Sequence, residues 1–387
     1  MEQLAIIGRE KDLAYAEAES IFGSITKLND YAISFNTPHQ AIISHLGSII
    51  KLGVIIKTTA TKSSLTNAIV DLIIDQFRST QVNSVDFGVS VYGDMIDDKE
   101  YKRILIEVKK SLKSQKIKCR FVLPKVMQLN AAQIIHNNLI KNGIEILVVQ
   151  NKSNYIIAKT TDIQDINSYS LRDFGRPNRD MKVGMFPPKL AQTMLNLANP
   201  DSNTTIYDPF CGSGVVLQEA LLRGLVAWGS DNSDKMVGST IENLNWLASK
   251  FHLTPVYEVF QADATDKLKL PPSPYSIVTE GFLGSMLSSP PDPVRLVELR
   301  SELSQLYLSF FRNITNFVNK PTSIVITLPC WQIDNQLEML NIVDQIINLG
   351  YTIKQFRSTD SSYLIYKRPN QIVGRQIIIC NLNQKGN

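Results

Sequence analysis

Residues 204–232 read Thr-Thr-Ile-Tyr-Asp-Pro-Phe-Cys-Gly-Ser-Gly-Val-Val-Leu-Gln-Glu-Ala-Leu-Leu-Arg-Gly-Leu-Val-Ala-Trp-Gly-Ser-Asp-Asn. A short apolar strand over 204–207 runs into a glycine turn from Asp208 to Gly214, and an amphipathic helix follows over 215–223. A second strand, 225–230, ends on Asp231. This is one βαβ half of a nucleotide-binding sheet, with an acid about 20 positions beyond the glycines, where a ribose is usually held.

The turn departs from the dinucleotide pattern, because it begins with an acid and carries two glycines. A pyrophosphate favours a bare helix N-terminus, where backbone N–H groups and the dipole attract anions. An acid at the strand end suits a ligand with positive charge, such as the sulfonium and ammonium of S-adenosylmethionine. The expected fold is therefore α/β, a class I (Rossmann-like) methyltransferase domain. The plainer reading of the same residues is an ordinary βα turn in some other α/β domain.

A chain of 387 residues has room for two or three domains. With 44% apolar and 20% charged residues it is globular rather than disordered. No apolar run reaches the roughly 18 residues that cross a bilayer, and the N-terminal stretch lacks a secretory pattern, so a cytoplasmic protein is expected. Four scattered cysteines and four histidines support neither a disulfide framework nor a metal site. The net charge of +4 is concentrated: between Lys99 and Lys125, ten basic residues face only Glu100 and Glu107. Lys109, Lys110, Lys113, Lys116, Lys118 and Arg120 form a candidate phosphate-facing surface; a solvated lysine face is the alternative.

Taken in order, strands near 3–8, 31–35 and 54–58 with helices at 11–22 and about Pro38–Leu46 suggest a ferredoxin-like subdomain over 1–60. Residues 61–155 add a helix at 64–79, a strand at 84–93, the basic helix at 99–118 with Ile104, Ile106, Val108 and Leu112 inward, a strand at 120–124, a helix at 130–141 and a strand at 144–149. Residues 156–182 are expected to be a polar linker and 183–387 the catalytic domain. There Pro187-Pro188 opens a helix over 188–198, since proline suits the first turn. Further on, a long helix over 293–318, a strand over 323–328, a helix over 335–348 and an antiparallel hairpin of Tyr363–Lys367 with Val373–Cys380 are expected.

Phe-Gly-Val-Ser-Val-Tyr-Gly (87–93), the lysine-rich helix, Arg-Phe-Val-Leu-Pro-Lys (120–125) and Leu-Asn-Ala-Ala-Gln-Ile-Ile-His-Asn (129–137) resemble a THUMP domain behind a ferredoxin-like partner. With Arg-Asp-Phe-Gly-Arg-Pro (172–177), the block to residue 198 and the βαβ unit, the chain resembles the archaeal and eukaryotic tRNA guanine-N2 methyltransferases that act at the position-10 guanosine. The resemblance implies RNA binding by the THUMP-like part, tRNA as the partner and, for some relatives, a small activating subunit. Arg176 and Arg179 are candidates for RNA phosphate or the methionine carboxylate, with a solvated linker as the alternative.

The candidate donor site comprises Pro187, Asp208, Cys211, Gly212, Ser213, Gly214, Asp231, Asn232, Asp263 and Ala264. Glycines are expected where a Cβ would collide or forbid the turn. Asp231 can accept both ribose hydroxyls, and the resemblance implies that Asp263-Ala264 meets the adenine. Nucleobase amino-methyltransferases usually carry Asp/Asn-Pro-Pro-Tyr/Phe after the next strand, where a carboxylate or amide and a carbonyl accept the N–H bonds of the amine and an aromatic ring stacks on the base. Here Glu280-Gly281-Phe282-Leu283 replaces that tetrad, with Thr279 before it as a further candidate. Glu280 keeps a carboxylate on a longer arm, Phe282 keeps the ring shifted one place, and both prolines are absent. The function expected is methylation of a guanosine N2 in tRNA. A DNA amino-methyltransferase and a catalytically silent RNA-binding protein that retains the pocket are the alternatives.

Overall fold

The computed structural model describes residues 2–37, 41–80, 82–179, 186–317, 321–361 and 363–382. They cluster into two units: residues 1–11 with 22–167, and residues 12–21 with 168–387.

In the first unit the described strands are β1 (Glu2–Ile7), β2 (Ile25–Asn29), β3 (Ala32–Asn36), β4 (Ile49–Thr59), β5 (Val85–Tyr92), β6 (Cys119–Phe121), β7 (Ile144–Asn151) and β8 (Asn154–Ile163). They form one sheet in the order β2-β3-β1-β4-β8-β7-β5-β6. The stretches expected as separate subdomains over 1–60 and 61–155 thus share a continuous sheet. The expected linker is also corrected. Residues 154–163 are an interior strand between β4 and β7, with Tyr155, Ile156, Ile157 and Ala158 buried, and 166–174 form a helix. Tyr155–Ala158 are buried in succession, as in a strand covered on both faces, and the polar run 159–162 after them is what resembled a connector.

Helix α1 (Lys11–Phe22) precedes β2, and α2 (Lys62–Thr80), α3 (Asp98–Ser114) and α4 (Ala131–His136) complete this part of the chain. Asp97 caps α3 by accepting the Glu100 N–H at 2.7 Å. Tyr101, Ile104, Leu105, Val108 and Leu112 are its buried stripe, at three- and four-residue spacing. Ile106, expected inward, is 48% exposed because it lies off that stripe. The helix expected over 130–141 stops at His136. Residues 38–40 of the helix expected about Pro38–Leu46 lie outside the described residues; Ile43–His45 is a single 3-10 turn.

The second unit takes residues 12–21 of α1, expected with the N-terminal subdomain, into its own core. Leu13 and Ala16 pack with Leu190, Met194 and Leu217, and Asn196 donates to the buried Glu17 carboxylate at 2.6 Å. The alanines at 14, 16 and 18 keep that helix thin enough to bury. Its strands are β9 (Thr205–Asp208), β10 (Ala227–Asp231), β11 (Tyr257–Gln261), β12 (Tyr275–Thr279), β13 (Ile324–Ile333), β14 (Gln336–Met339), β15 (Tyr351–Ile353), β16 (Leu364–Tyr366) and β17 (Val373–Leu382). The helices are α5 (Ile166–Phe174), α6 (Pro188–Ala198), α7 (Val215–Leu222), α8 (Asp234–Phe251), α9 (Pro293–Thr315) and α10 (Val343–Asn348).

The sheet runs β11-β10-β9-β12-β13-β17-β15, parallel from β11 to β13 and antiparallel at β17. The hairpin of β16 with β17 is as expected, and so is α6, with Pro188 at its first turn. The helix expected over 335–348 is instead a hairpin strand, β14, followed by the short α10. Asp334 and Asn335, both at positive φ, make the turn. Strand order reverses at β9, which lies between β10 and β12. In open α/β sheets a ligand crevice forms at the carboxyl ends of the strands flanking such a reversal. No described helix is long and apolar enough to cross a membrane.

Candidate active site

Four neighbouring parallel strands end at a carboxylate. Asp208 closes β9, Asp231 closes β10, Asp263 lies two residues beyond β11, and Glu280 directly follows β12. All four line one cavity of about 640 Å³, within the usual range for a cofactor-sized ligand.

The glycine turn is held from several sides. Gly212 (φ 51°) and Gly214 (φ 80°) occupy the left-handed region. A Cβ on Gly214 would come within 2.8 Å of Thr240, whereas one on Gly212 would meet open space, so only its backbone calls for glycine. Asp231 Oδ2 accepts the Gly212 N–H and Oδ1 the Ser233 N–H, each at 3.0 Å. Each oxygen keeps a further lone pair for a ligand hydroxyl. Asn243 donates to the Ser213 carbonyl and to the Asn178 carbonyl, both at 2.9 Å, and accepts the Asn178 N–H. The segment after α5 is thereby tied to the turn.

Asp208 is buried and accepts hydrogen bonds from the Phe210 N–H and the Thr279 hydroxyl. Burial pushes its pKa up to about 7, opposed by those two donors and aided by the negative charges of Asp231 and Glu280. A cation entering the cavity would restore its charge. Asp263 accepts from the Thr265 N–H at 2.8 Å and hydroxyl at 2.7 Å, and Ala264 forms the apolar wall beside it.

Glu280 is not a free carboxylate. Arg375 on β17, 2% exposed, places Nε 2.7 Å and Nη2 2.5 Å from Glu280 Oε1. Burial raises the Glu280 pKa, while Arg375 and then Arg176 pull it down. Thr327 donates its hydroxyl to the Glu280 carbonyl. The Tyr307 hydroxyl lies 3.0 Å from the carbonyls of both Phe282 and Thr327. Gly281 has φ 72°, and a Cβ there would stand 2.5 Å from the Tyr307 hydroxyl. The loop is a built structure, held by hydroxyls where the usual tetrad uses prolines. Phe282, 46% exposed, lines the mouth.

Of the expected residues, Asp208, Cys211, Gly212, Ser213, Asp231, Asn232, Asp263, Ala264, Glu280, Gly281 and Phe282 line this cavity. Pro187, Gly214 and Thr279 do not; they shape the helix start, the turn and the Asp208 environment. Phe186, next to Pro187, lines it instead. Arg176, expected toward RNA, is 3% exposed and lines the cavity, whereas Arg179 is exposed. The basic helix expected over 99–118 ends at Ser114; Lys110 and Lys113 on it and Lys116 and Lys118 beyond it are exposed. Lys109 instead rests over the Phe121 ring at 5.3 Å, and Arg120 is paired with Asp86. Arg375, Tyr307 and Thr327 were not among the candidates. The available signal was a lone arginine opening the run Arg-Gln-Ile-Ile-Ile at 375–379.

Residues 176–330 match the UPF0020 family model, described as an RMKL-like methyltransferase domain. This chain therefore carries a methyltransferase domain. A tRNA (guanine(10)-N2)-dimethyltransferase of Methanocaldococcus jannaschii is 28% identical over 250 residues, 61% of this chain and 68% of that protein. The enzyme of the same name from Methanothermobacter thermautotrophicus is 29% identical over 177 residues, 45% of this chain and 47% of its own length. TrmN from Thermus thermophilus superposes with a TM-score of 0.55 at 13% identity, covering 99% of this chain and 100% of TrmN, which shows a shared fold.

Proposed function

We propose that this methyltransferase uses S-adenosylmethionine to methylate the exocyclic N2 of a guanosine in tRNA. The observation that carries the reading is the row of Asp208, Asp231, Asp263 and Glu280 around one cavity at the strand-order reversal. The named activity of the two archaeal relatives supplies the substrate class. The donor set fits the group: a buried acid for a cationic centre, an acid with free lone pairs for a diol, and an acid beside an apolar wall for a purine.

When bound, S-adenosylmethionine supplies an electrophilic methyl group on sulfur. Asp208 would face the cationic end, Asp231 the ribose and Asp263 the adenine. Glu280 Oε2, left over from the Arg375 pair, would accept an N–H of the guanine amine and orient its lone pair. Phe282 would stack on the base at the mouth. Nitrogen forms the new N–C bond as the S–C bond breaks, and the surplus proton on nitrogen passes to Glu280 or water. The exposed lysines of α3 would meet RNA phosphates, an electrostatic contact that weakens with salt.

The test is methyl transfer from labelled donor to bulk tRNA and to duplex DNA, followed by nucleoside analysis. Label in N2-methylguanosine or N2,N2-dimethylguanosine supports the reading. Label in DNA alone would make the chain a DNA amino-methyltransferase. Donor binding without transfer to either would leave a silent pocket.

A further inference from the structure

Five carboxylates among the described cavity residues (Asp208, Asp231, Asp263, Glu280, Glu302) are accompanied by one basic side chain, Arg176. That arginine is 3% exposed, and its guanidinium Nε and Nη1 have no hydrogen-bond partner among the described residues. A buried guanidinium with open N–H groups costs several kcal/mol unless something else accepts from it. Asp173, Glu219 and Glu280 act on it only through space. Its place is fixed: two residues on, Asn178 is bonded through Asn243 to the Ser213 carbonyl of the glycine turn, next to the N-terminus of α7. Arg176 therefore lines the same cavity as Asp208 and Asp263, from the segment tied to the glycine turn.

We propose that Arg176 receives the carboxylate of the methyl donor's amino-acid tail. The proposal rests on the S-adenosylmethionine reading and extends it. A zwitterionic tail needs an anion for its ammonium and a cation for its carboxylate within a few ångströms. Asp208 supplies the first and Arg176 the second. An RNA phosphate is the weaker occupant, because a guanidinium this buried can be reached only through the cavity. The open N–H groups then find acceptors when the donor enters.

The experiment titrates the full-length protein and its Arg176→Gln and Arg176→Lys variants with three probes. These are S-adenosylmethionine, its decarboxylated form and 5′-methylthioadenosine. The wild type should bind the decarboxylated form roughly ten- to a hundredfold more weakly than the parent, the worth of charge-assisted hydrogen bonds. Arg176→Gln should lose about that factor for S-adenosylmethionine and little for the two probes without a carboxylate, and Arg176→Lys should recover part of it. Equal wild-type affinity for the parent and decarboxylated donors would overturn the proposal even if a variant failed to fold. So would a loss in Arg176→Gln shared by all three probes, or a loss confined to RNA binding. Failure of the wild type to bind any probe would remove the donor reading itself, and this assignment with it.

Discussion

The two ends of the cavity are built by different means. At the ribose and adenine end, Asp231 and Asp263 are held by N–H and hydroxyl groups within two residues of themselves, plus Gly212 across the turn. At the reacting end, Glu280 is held by Arg375, 95 positions later, and its loop by Tyr307 and Thr327. A locally held carboxylate keeps lone pairs for ligand hydroxyl groups. One held by a distant guanidinium in a buried site depends for its charge on Arg375 and then on Arg176. The first end should therefore fail through lost affinity, the second through lost stability and an altered pH profile.

Breaking the distant pair should have the largest effect. Arg375→Met leaves Glu280 without its cation, and denaturant unfolding should show a loss of roughly 3 kcal/mol. Any remaining turnover should have its acid limb moved to higher pH, since burial then acts on Glu280 unopposed by Arg375. Unchanged stability would remove the contrast between the two ends. Next in size, Asp231→Ala should weaken calorimetric binding of S-adenosylhomocysteine about a hundredfold, as ribose contacts and the Gly212 anchor go together, with little change in folding.

Asp208 sharpens the comparison, because it lies between the two ends. Its pKa rises from 3.8 to about 7 on folding, so over that interval the folded protein binds more protons than the unfolded chain. Stability should fall as pH rises from about 4 to 7. Asp208→Asn should consequently melt higher than the wild type at pH 8, and the gap should close toward pH 4. Donor affinity of the wild type should drop below pH 7, as binding a cation then requires deprotonation. A gap independent of pH would contradict the assigned burial effect. The smallest effect on the cavity should come from replacing Lys110, Lys113, Lys116 and Lys118 with alanine. The salt dependence of tRNA binding should flatten by about 0.7–0.9 in log–log slope per lost phosphate contact, with donor binding unchanged.

The same division decides what could be read from the amino-acid order. The βαβ unit, Asp208, the glycine turn, Asp231 and Asp263 were legible because each stands at the end of a strand or in the turn that follows one, which a local pattern marks. Glu280 and Phe282 were legible as positions, but the Arg375 partnership was not, since register across the sheet sets it. Arg176 was recognised as a cation, yet its burial follows from the Asn178–Asn243–Ser213 tie between three separate segments. The adoption of residues 12–21 by the second unit has the same origin: residues 13–18 of α1 are all buried, Glu17 included, and periodicity cannot say which core receives them. The hairpin at Asp334-Asn335 carried a local signal, two residues that tolerate positive φ, which the apolar spacing of 335–348 outweighed.

Calorimetric titration of the wild type and Asp231→Ala with S-adenosylhomocysteine tests the central claim most directly. One molecule bound per chain, with affinity collapsing in the variant while its melting temperature holds, is the predicted result. No heat with the wild type, or equal affinity in the two proteins, would contradict it.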